Sequence, residues 1–317
     1  MDNLTHSLIG AALGQAGLKR KTGLAMPALI VGANLPDIDA GCVVYGIESL
    51  AMRRGITHGP IALVLLPLLL AGALWWFDRW QERRGKRPEG RLPVRFGWLL
   101  ALSFIACLTH PLFDWFNNYG IRLLEPFSSE WFYGDTLFII DPWIIVMLGM
   151  GVWASLRAER TAKYWAESLA RTALIATSLY VLLNLAISNW AEGVGEWYAV
   201  HPRLTVANVP PLTFWKRDVL IYGDRVWGAR YFEKVSCDAV LGCETESGDW
   251  LSRQGLINMA DPRIAAWSKD DPAAQAFLFW SRMPIAELHA DRIILRDQRF
   301  MDPRIGDRFT VTLRPPK

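Results

Sequence analysis

Six side chains in the first part of this sequence could together bind a metal ion, although they are far apart along the chain. They are three histidines and three aspartates: His6, Asp37, Asp39, His58, His110 and Asp114. Imidazole nitrogens combined with carboxylate oxygens suit Zn²⁺, with Mn²⁺ and Fe²⁺ as alternatives. We therefore predict a site for one or two divalent ions, provided that the fold brings these residues together.

Two local spacings favour metal binding. His110 and Asp114 are four positions apart, which places both on one face of a helix, one turn from each other. Asp37 and Asp39 follow Pro36, which ends a helix and lets two carboxylates approach a cation. Structural alternatives remain open: the aspartates can cap a turn, a His–Asp hydrogen bond can stabilise a helix end, and the other histidines can be interfacial.

The composition indicates a membrane protein. The 317 residues are 52% hydrophobic and include 16 tryptophans, and the mean hydropathy is positive. The formal net charge of +3 is small and dispersed, which argues against a nucleic-acid partner. Membrane lipids are the expected surroundings.

The apolar segments predict an N-terminal helical hairpin followed by four spanning helices, since about 20 apolar residues cross a bilayer. The hairpin has a basic tip at Lys19, Arg20 and Lys21, and its arms either span the membrane or re-enter it. We see no cleavable signal peptide. The hairpin arms are residues 4–18 and 23–35, and the spans are residues 60–77, 97–113, 137–156 and 172–190.

The basic loops predict the orientation of these helices. Loops 78–95 and 157–171 are rich in arginine and lysine and are expected in the cytoplasm, whereas the acidic loop 114–136 is expected outside. All six candidate ligands then lie at the outer face of a multi-pass bacterial inner-membrane protein. Arg53 and Arg54 are basic residues on that outer side, an exception to the rule.

The C-terminal part predicts a small soluble α+β domain outside the cytoplasm. We expect domains at residues 1–194 and 195–317, with strands near 218–222 and 309–313 and a helix near 271–281. Cys237 and Cys243 form a disulfide in one interpretation and are free thiols in the other. The sequence does not identify a protein partner for this domain.

Four motifs that contain the candidate ligands resemble one family. They are Met1-Asp-Asn-Leu-Thr-His6, Asn34-Leu-Pro-Asp-Ile-Asp39, Arg54-Gly-Ile-Thr-His58 and Thr109-His-Pro-Leu-Phe-Asp114. In this order they are similar to the YdjM-type family of bacterial membrane-bound metal-dependent hydrolases. The resemblance covers about residues 1–145 and implies a metallohydrolase with ligands among these six residues.

A shorter similarity points to phosphoester cleavage. The His110-x-x-x-Asp114 element with an upstream aspartate and histidine resembles the zinc sites of bacterial zinc-dependent phospholipase C and related nucleases. Arg53 and Arg54 can then grip a phosphate, although they can equally contact lipid headgroups. One carboxylate of Asp37, Asp39 or Asp114 is expected to act as base on a metal-activated water.

The expected function is therefore hydrolysis of a phosphoester or other bond in a lipid or lipid-linked substrate at the outer membrane interface. Two alternatives stay open. One is a metal-dependent amide or ester hydrolase, such as a deacylase or peptidase. The other is a membrane scaffold or sensor without enzymatic activity, in which the metal holds the helices together.

Overall fold

The computed structural model describes residues 1–198, 202–224, 230–245, 256–301 and 307–316 and divides into two compact units. The helical unit comprises Met1–Asp39 and Arg54–Leu183. The mixed unit comprises Ala40–Arg53 and Asn184–Lys317. The boundary predicted between residues 194 and 195 falls inside the last long helix, whose final part belongs to the mixed unit.

The predicted N-terminal hairpin is present. Helices α1 (Asn3–Gln15) and α2 (Ala25–Asn34) pack against each other, and a 3-10 turn at Leu18–Arg20 forms the basic tip. The helices approach most closely at Gly10, where a Cβ atom would lie 2.5 Å from the carbonyl oxygen of Leu29. A side chain at this position would push the two arms apart.

The chain continues from α2 through two 3-10 segments and five more helices. Proline begins both α4 and α6, as expected at a position whose N–H has no partner within the helix. In chain order the elements are a 3-10 segment Leu35–Glu48, α3 Ser49–Met52, a 3-10 turn Ile56–His58, α4 Pro60–Arg83, α5 Phe96–Trp115, α6 Pro142–Arg160 and α7 Ala166–Tyr198.

Among the described residues, four stretches are long and apolar enough to cross a membrane. Three of them match predicted spans, while the predicted span 137–156 lies on α6, whose last turn carries charged residues that lower its hydropathy. The second arm of the hairpin qualifies instead, because its apolar sequence continues through the 3-10 segment. The four stretches are Ala25–Met52, Pro60–Arg83, Phe96–Trp115 and Ala166–Trp197.

The helical unit is apolar outside as well as inside. Only 11% of the most apolar window of α4 is buried, and Leu69 and Trp76 on this helix are more than half exposed. A continuous apolar surface of this kind is stable against lipid rather than water. Inside the unit, α2, α4 and α5 share one core, built from Ala25, Ala28, Leu29, Ala33, Ala71, Leu99, Leu102 and Ala106.

The mixed unit contains two four-stranded antiparallel sheets in its described part, with the strands of each sheet in chain order. Helices α8 (Pro262–Ser268) and α9 (Pro272–Trp280) connect two strands of the second sheet. This arrangement confirms the predicted α+β domain. The first sheet consists of β1 Pro202–Asn208, β2 Lys216–Asp224, β3 Arg230–Asp238 and β4 Gly242–Thr245, and the second of β5 Leu256–Ile257, β6 Pro284–Leu288, β7 Ile293–Asp297 and β8 Thr310–Leu313.

One covalent bond within the first sheet and one set of hydrogen bonds to α7 stabilise this part of the fold. Cys237 on β3 lies opposite Cys243 on β4, and the two are joined by a disulfide, which decides between the two interpretations of these cysteines. Arg217 on β2 is fully buried and donates hydrogen bonds to Ser188 Oγ at 2.8 Å and to the backbone oxygen of Asn184 at 3.0 Å. These bonds fasten the end of α7 to the sheet.

The second sheet contains a buried ion pair between Asp297 and Arg299, at 2.8 Å. Asp297 also accepts a hydrogen bond from Ser281 Oγ at 2.6 Å. Burial by itself raises the pKa of the Asp297 carboxyl, but the Arg299 charge and the hydrogen bonds from Arg299 and Ser281 outweigh burial and hold that pKa below its usual range. The network therefore stabilises the fold only while Asp297 is ionised.

We expect Asp297→Asn to reduce the stability of the second sheet by about 3 kcal/mol, because the guanidinium of Arg299 would remain buried without its charged partner. The folded-state pKa is depressed, so this stabilisation is complete above the usual carboxyl pKa of about 3.9 and disappears as the pH falls through the folded value. Hydrogen exchange of peptides covering residues 293–300 at neutral pH measures the loss. The exposed Asp291→Asn is the matched control, and equal protection in both variants would contradict this role.

Candidate metal centre

Five of the six predicted ligands meet inside the helical unit, and the sixth lies immediately beside them. His6, His58, His110 and Asp114 are completely buried, and Asp37 and Asp39 are less than a tenth exposed. Four segments of chain supply these side chains: α1, the start of the 3-10 segment after α2, the 3-10 turn before α4, and the end of α5.

Helix α5 supplies His110 and Asp114 from its buried face. The buried positions of this helix recur every three or four residues from Leu99 onward, and the apolar ones pack in the core while His110 and Asp114 are candidate ligands. The expected one-turn separation holds, since His110 Nε2 lies 3.6 Å from Asp114 Oδ2. The same stripe that anchors α5 in the core therefore carries the site.

His58 is held close to the centre by the glycine that follows it. A Cβ atom on Gly59 would lie 1.9 Å from the carbonyl oxygen of Glu125, so only glycine permits this approach of the two loops. The next residue, Pro60, starts α4. His58 is thereby fixed at the junction between the loop and the first long apolar helix.

Four ligand atoms lie within 4.8 Å of one another, one each from Asp37, His58, His110 and Asp114. His58 Nε2 is 3.4 Å from Asp114 Oδ2, and His110 Nε2 is 3.6 Å from Asp37 Oδ1. Two atoms bonded at 2.0–2.1 Å to one tetrahedral Zn²⁺ lie roughly 3.3–3.4 Å apart. The two quoted pairs are close to the spacing of ligands of one divalent ion.

A backbone hydrogen bond fixes the position of one proton on the His110 ring, at Nδ1. Nδ1 of His110 lies 2.7 Å from the carbonyl oxygen of Ala33, which can only accept a hydrogen bond. Nδ1 must therefore carry the proton. A ring that carries only this proton has its lone pair on Nε2, the atom that faces Asp37 and Asp114.

A hydroxyl group fixes the His58 ring in the same way. Thr57 Oγ1 lies 2.8 Å from Asp39 Oδ2 and 2.9 Å from His58 Nδ1. The ionised carboxylate can only accept, so the Thr57 hydroxyl donates a hydrogen bond to Asp39 and accepts one from His58 Nδ1. Nε2 of His58 is left with a lone pair that faces Asp114.

These lone pairs require a positive partner. In the described part of the chain, Nε2 of His58 and Nε2 of His110 are buried and make no hydrogen bond. Burial, together with the charge of Arg54, lowers the pKa of His58 well below its usual range, so that this ring is neutral. A neutral imidazole lone pair facing a carboxylate oxygen is unfavourable unless a cation lies between them, and the residues fit a divalent metal ion.

Asp39, which we also predicted as a ligand, forms hydrogen bonds with residues beside the four-residue group. Its Oδ2 accepts hydrogen bonds from the backbone N–H of Arg54 at 2.8 Å and from Thr57 Oγ1. The four-residue ligand group does not include it. In this geometry Asp39 acts on the centre through Thr57 and His58.

Arg54, one of the two predicted phosphate ligands, contacts several protein groups next to the centre. Its Nε lies 3.0 Å from Asp114 Oδ2, and its Nη1 donates to Asn117 Oδ1 at 2.8 Å. The guanidinium also lies over the ring of Tyr119, 4.6 Å from its centre. It holds Asp114 in place. Arg53, the other predicted phosphate ligand, ends α3 and belongs to the mixed unit.

His6 approaches the centre from α1, whose first turn is capped by Asp2. Its Nε2 lies 3.4 Å from Asp114 Oδ1, and its ring stacks on His110 with the centroids 3.8 Å apart. The amino group of Met1 contacts the same oxygen of Asp114. His6 therefore faces a different side of the Asp114 carboxylate from His58 and His110.

The sequence analysis missed the residues that orient the ligands. Thr57 directly precedes His58 in one of the four motifs, so its place in the chain was the available signal. Asn117 follows Asp114 by three positions, and the carbonyl of Ala33 belongs to α2. A backbone acceptor leaves no trace in residue type, which is why the Ala33 contact could not be foreseen.

These features define a membrane protein with apolar helices around a buried His/Asp cluster. The chain belongs to the YdjM inner membrane protein family, whose model matches residues 1–191 and so includes all six predicted ligands. It is 27% identical over 167 residues to the uncharacterized protein YfhP of Bacillus subtilis (strain 168). That match covers 48% of this chain and 46% of the relative, so this chain spans less than half of YfhP. No solved structure matches the chain significantly.

We expect Thr57→Val to weaken zinc binding by about 10–100-fold, because valine can neither accept the hydrogen bond from His58 Nδ1 nor donate a hydrogen bond to Asp39. Thr57→Ser retains the hydroxyl and should restore most of the affinity. Competition with a chromophoric zinc chelator measures both variants. Equal affinities for valine and serine at this position would show that the hydroxyl does not orient His58.

Proposed function

We propose that this protein is a membrane-embedded metal-dependent hydrolase that cleaves a phosphoester or other bond in a lipid or lipid-linked substrate. The observation that carries the proposal is the pair of buried Nε2 lone pairs on His58 and His110, each fixed by a hydrogen bond at Nδ1 and each facing a carboxylate. A divalent ion satisfies this arrangement, and zinc suits its donors best, with manganese and iron as alternatives.

A divalent ion held by Asp37, His58, His110 and Asp114 would activate a water molecule and polarise the scissile group. Other residues of the protein hold the ligands in position. Arg54 holds the Asp114 carboxylate, and Thr57 holds His58, so that the ligands keep their positions during the reaction. Asp37 is our candidate for the base that receives the proton of the attacking water.

A lipid substrate agrees with the residues next to the ligands. Ile38 lies between the two aspartates and is 57% exposed, and Ile56 lies two positions before His58 and is 66% exposed. Large apolar side chains at a ligand-bearing surface favour an amphiphile over a freely soluble molecule. The predicted phosphate grip by Arg53 remains part of this proposal.

We also propose that the centre lies at the outer face of the inner membrane and that the mixed unit is periplasmic. The distribution of basic residues between loops 78–95, 114–136 and 157–171 supports this orientation. The disulfide between Cys237 and Cys243 supports it independently, because such bonds persist in oxidising compartments.

One observation favours a second function, a metal-stabilised scaffold or sensor without catalysis. His58, His110 and Asp114 have no exposed surface, and structural metal sites are typically closed whereas catalytic sites keep a position open. In that function the ion would hold α5 and the loop before α4 together. The lipid assay described below distinguishes this function from a hydrolase.

We expect His110→Ala and Asp37→Ala each to lose most of the bound metal, because each removes one ligand from the four-residue group. Elemental analysis of the purified protein in detergent measures the stoichiometry. His289→Ala removes a half-exposed histidine of the mixed unit and should retain the metal of the unaltered protein. Unchanged metal content in both ligand variants would reject the assignment.

We expect the zinc-loaded protein in lipid nanodiscs to release phosphorylated headgroups from a phospholipid panel, and Asp37→Ala to reduce the rate at least 100-fold. His289→Ala should react at the unaltered rate. Mass spectrometry of the lipid products identifies the bond that is broken. Cleavage confined to acyl ester or amide bonds would support a deacylase or peptidase, and intact metal without turnover would support the scaffold.

A further inference from the structure

We propose that the centre binds two metal ions, with Asp114 as the bridging carboxylate and His6 as a ligand of the second ion. This inference rests on the proposed metal centre and adds a site outside the four-residue group. The two oxygens of Asp114 face different histidines. Oδ2 faces His58 and His110 at 3.4 and 3.6 Å, whereas Oδ1 faces His6 Nε2 at 3.4 Å.

The His6 ring is poised as a ligand by its burial and its lack of other partners. It is completely buried, and within the described chain neither of its ring nitrogens makes a hydrogen bond. Leaving a buried polar atom without a partner costs roughly 1–3 kcal/mol. The 3.4 Å separation between His6 Nε2 and Asp114 Oδ1 is the spacing that two ligands of one zinc ion show, roughly 3.3–3.4 Å.

The ring planes show why one ion cannot serve all three histidines. A metal binds imidazole close to the plane of the ring. The rings of His58 and His110 are inclined by 60°, so their planes cross nearby and one ion can lie in both. The rings of His6 and His110 are stacked at 3.8 Å and inclined by only 19°. Such planes do not meet within a zinc–nitrogen bond of about 2.0–2.1 Å, so His6 needs an ion of its own.

A carboxylate that presents one oxygen to each side is suited to bridge two ions about 3.5–4 Å apart. An ion beside Oδ1 replaces the contact that the Met1 amino group makes there. Among the described groups at the centre, the carboxylates of Asp37, Asp39 and Asp114 are negative, and the guanidinium of Arg54 and the amino group of Met1 are positive. Two divalent ions would therefore leave the centre with a net positive charge, which favours an anionic substrate group such as a phosphodiester over a neutral amide.

Zinc titration of the metal-free protein, followed by elemental analysis after desalting, tests this inference. We expect two zinc ions per chain in the unaltered protein, one in His6→Ala, none in Asp114→Ala and two in His289→Ala. One ion in both the unaltered protein and His6→Ala would overturn the binuclear centre and leave the proposed function intact. No bound zinc in the unaltered protein would overturn both.

Electron paramagnetic resonance of the Mn²⁺-loaded protein provides a measurement that does not depend on the folding of a variant. Two ions bridged by Asp114 should give the spectrum of a magnetically coupled pair in the unaltered protein. His6→Gln, which keeps a polar side chain of similar size, should convert it to the spectrum of isolated Mn²⁺. An isolated-ion spectrum for the unaltered protein at saturating Mn²⁺ would overturn the inference.

Discussion

The structure depends on one electrostatic constraint: imidazole lone pairs and carboxylate oxygens face each other in a buried space. Hydrogen bonds at Nδ1 hold the rings of His58 and His110 in this orientation. Moving the Nδ1 proton to Nε2 would break these hydrogen bonds. Without a cation this arrangement is repulsive in a region of low dielectric constant. A divalent ion between these groups would remove the repulsion, and this removal would contribute to the free energy of metal binding.

The helices that hold this centre also make the protein a membrane protein. Helices α2, α4 and α5 share a core of small and medium apolar residues. The candidate ligands His110 and Asp114 lie on the same buried face of α5. Small residues such as Gly10 let α1 and α2 approach closely, which brings His6 to the centre. The outer surface of the same helices is apolar, so burial of the polar centre and exposure of the apolar side chains occur together.

Several expectations from the sequence held because they depend on local pattern. The hairpin, most of the apolar spans and the α+β character of the C-terminal part follow from hydrophobic periodicity and from proline and glycine positions. The expected span at 137–156 did not appear among the four apolar stretches, since the charges that end α6 lower its hydropathy. The contacts of Arg54 could not be predicted, because its partners Asp114 and Asn117 are distant in sequence.

The sequence by itself determined the types of the candidate ligands, the membrane character and the family, because each of these follows from residue types and short spacings along the chain. The tertiary structure determined which contacts each of these side chains makes. Asp39 accepts a hydrogen bond from Thr57, the two oxygens of Asp114 face different histidines, and the ring of His6 stacks on the ring of His110. These outcomes depend on angles and distances between segments that only packing fixes, since a hydrogen bond or a ring plane has no counterpart in the linear order of residues.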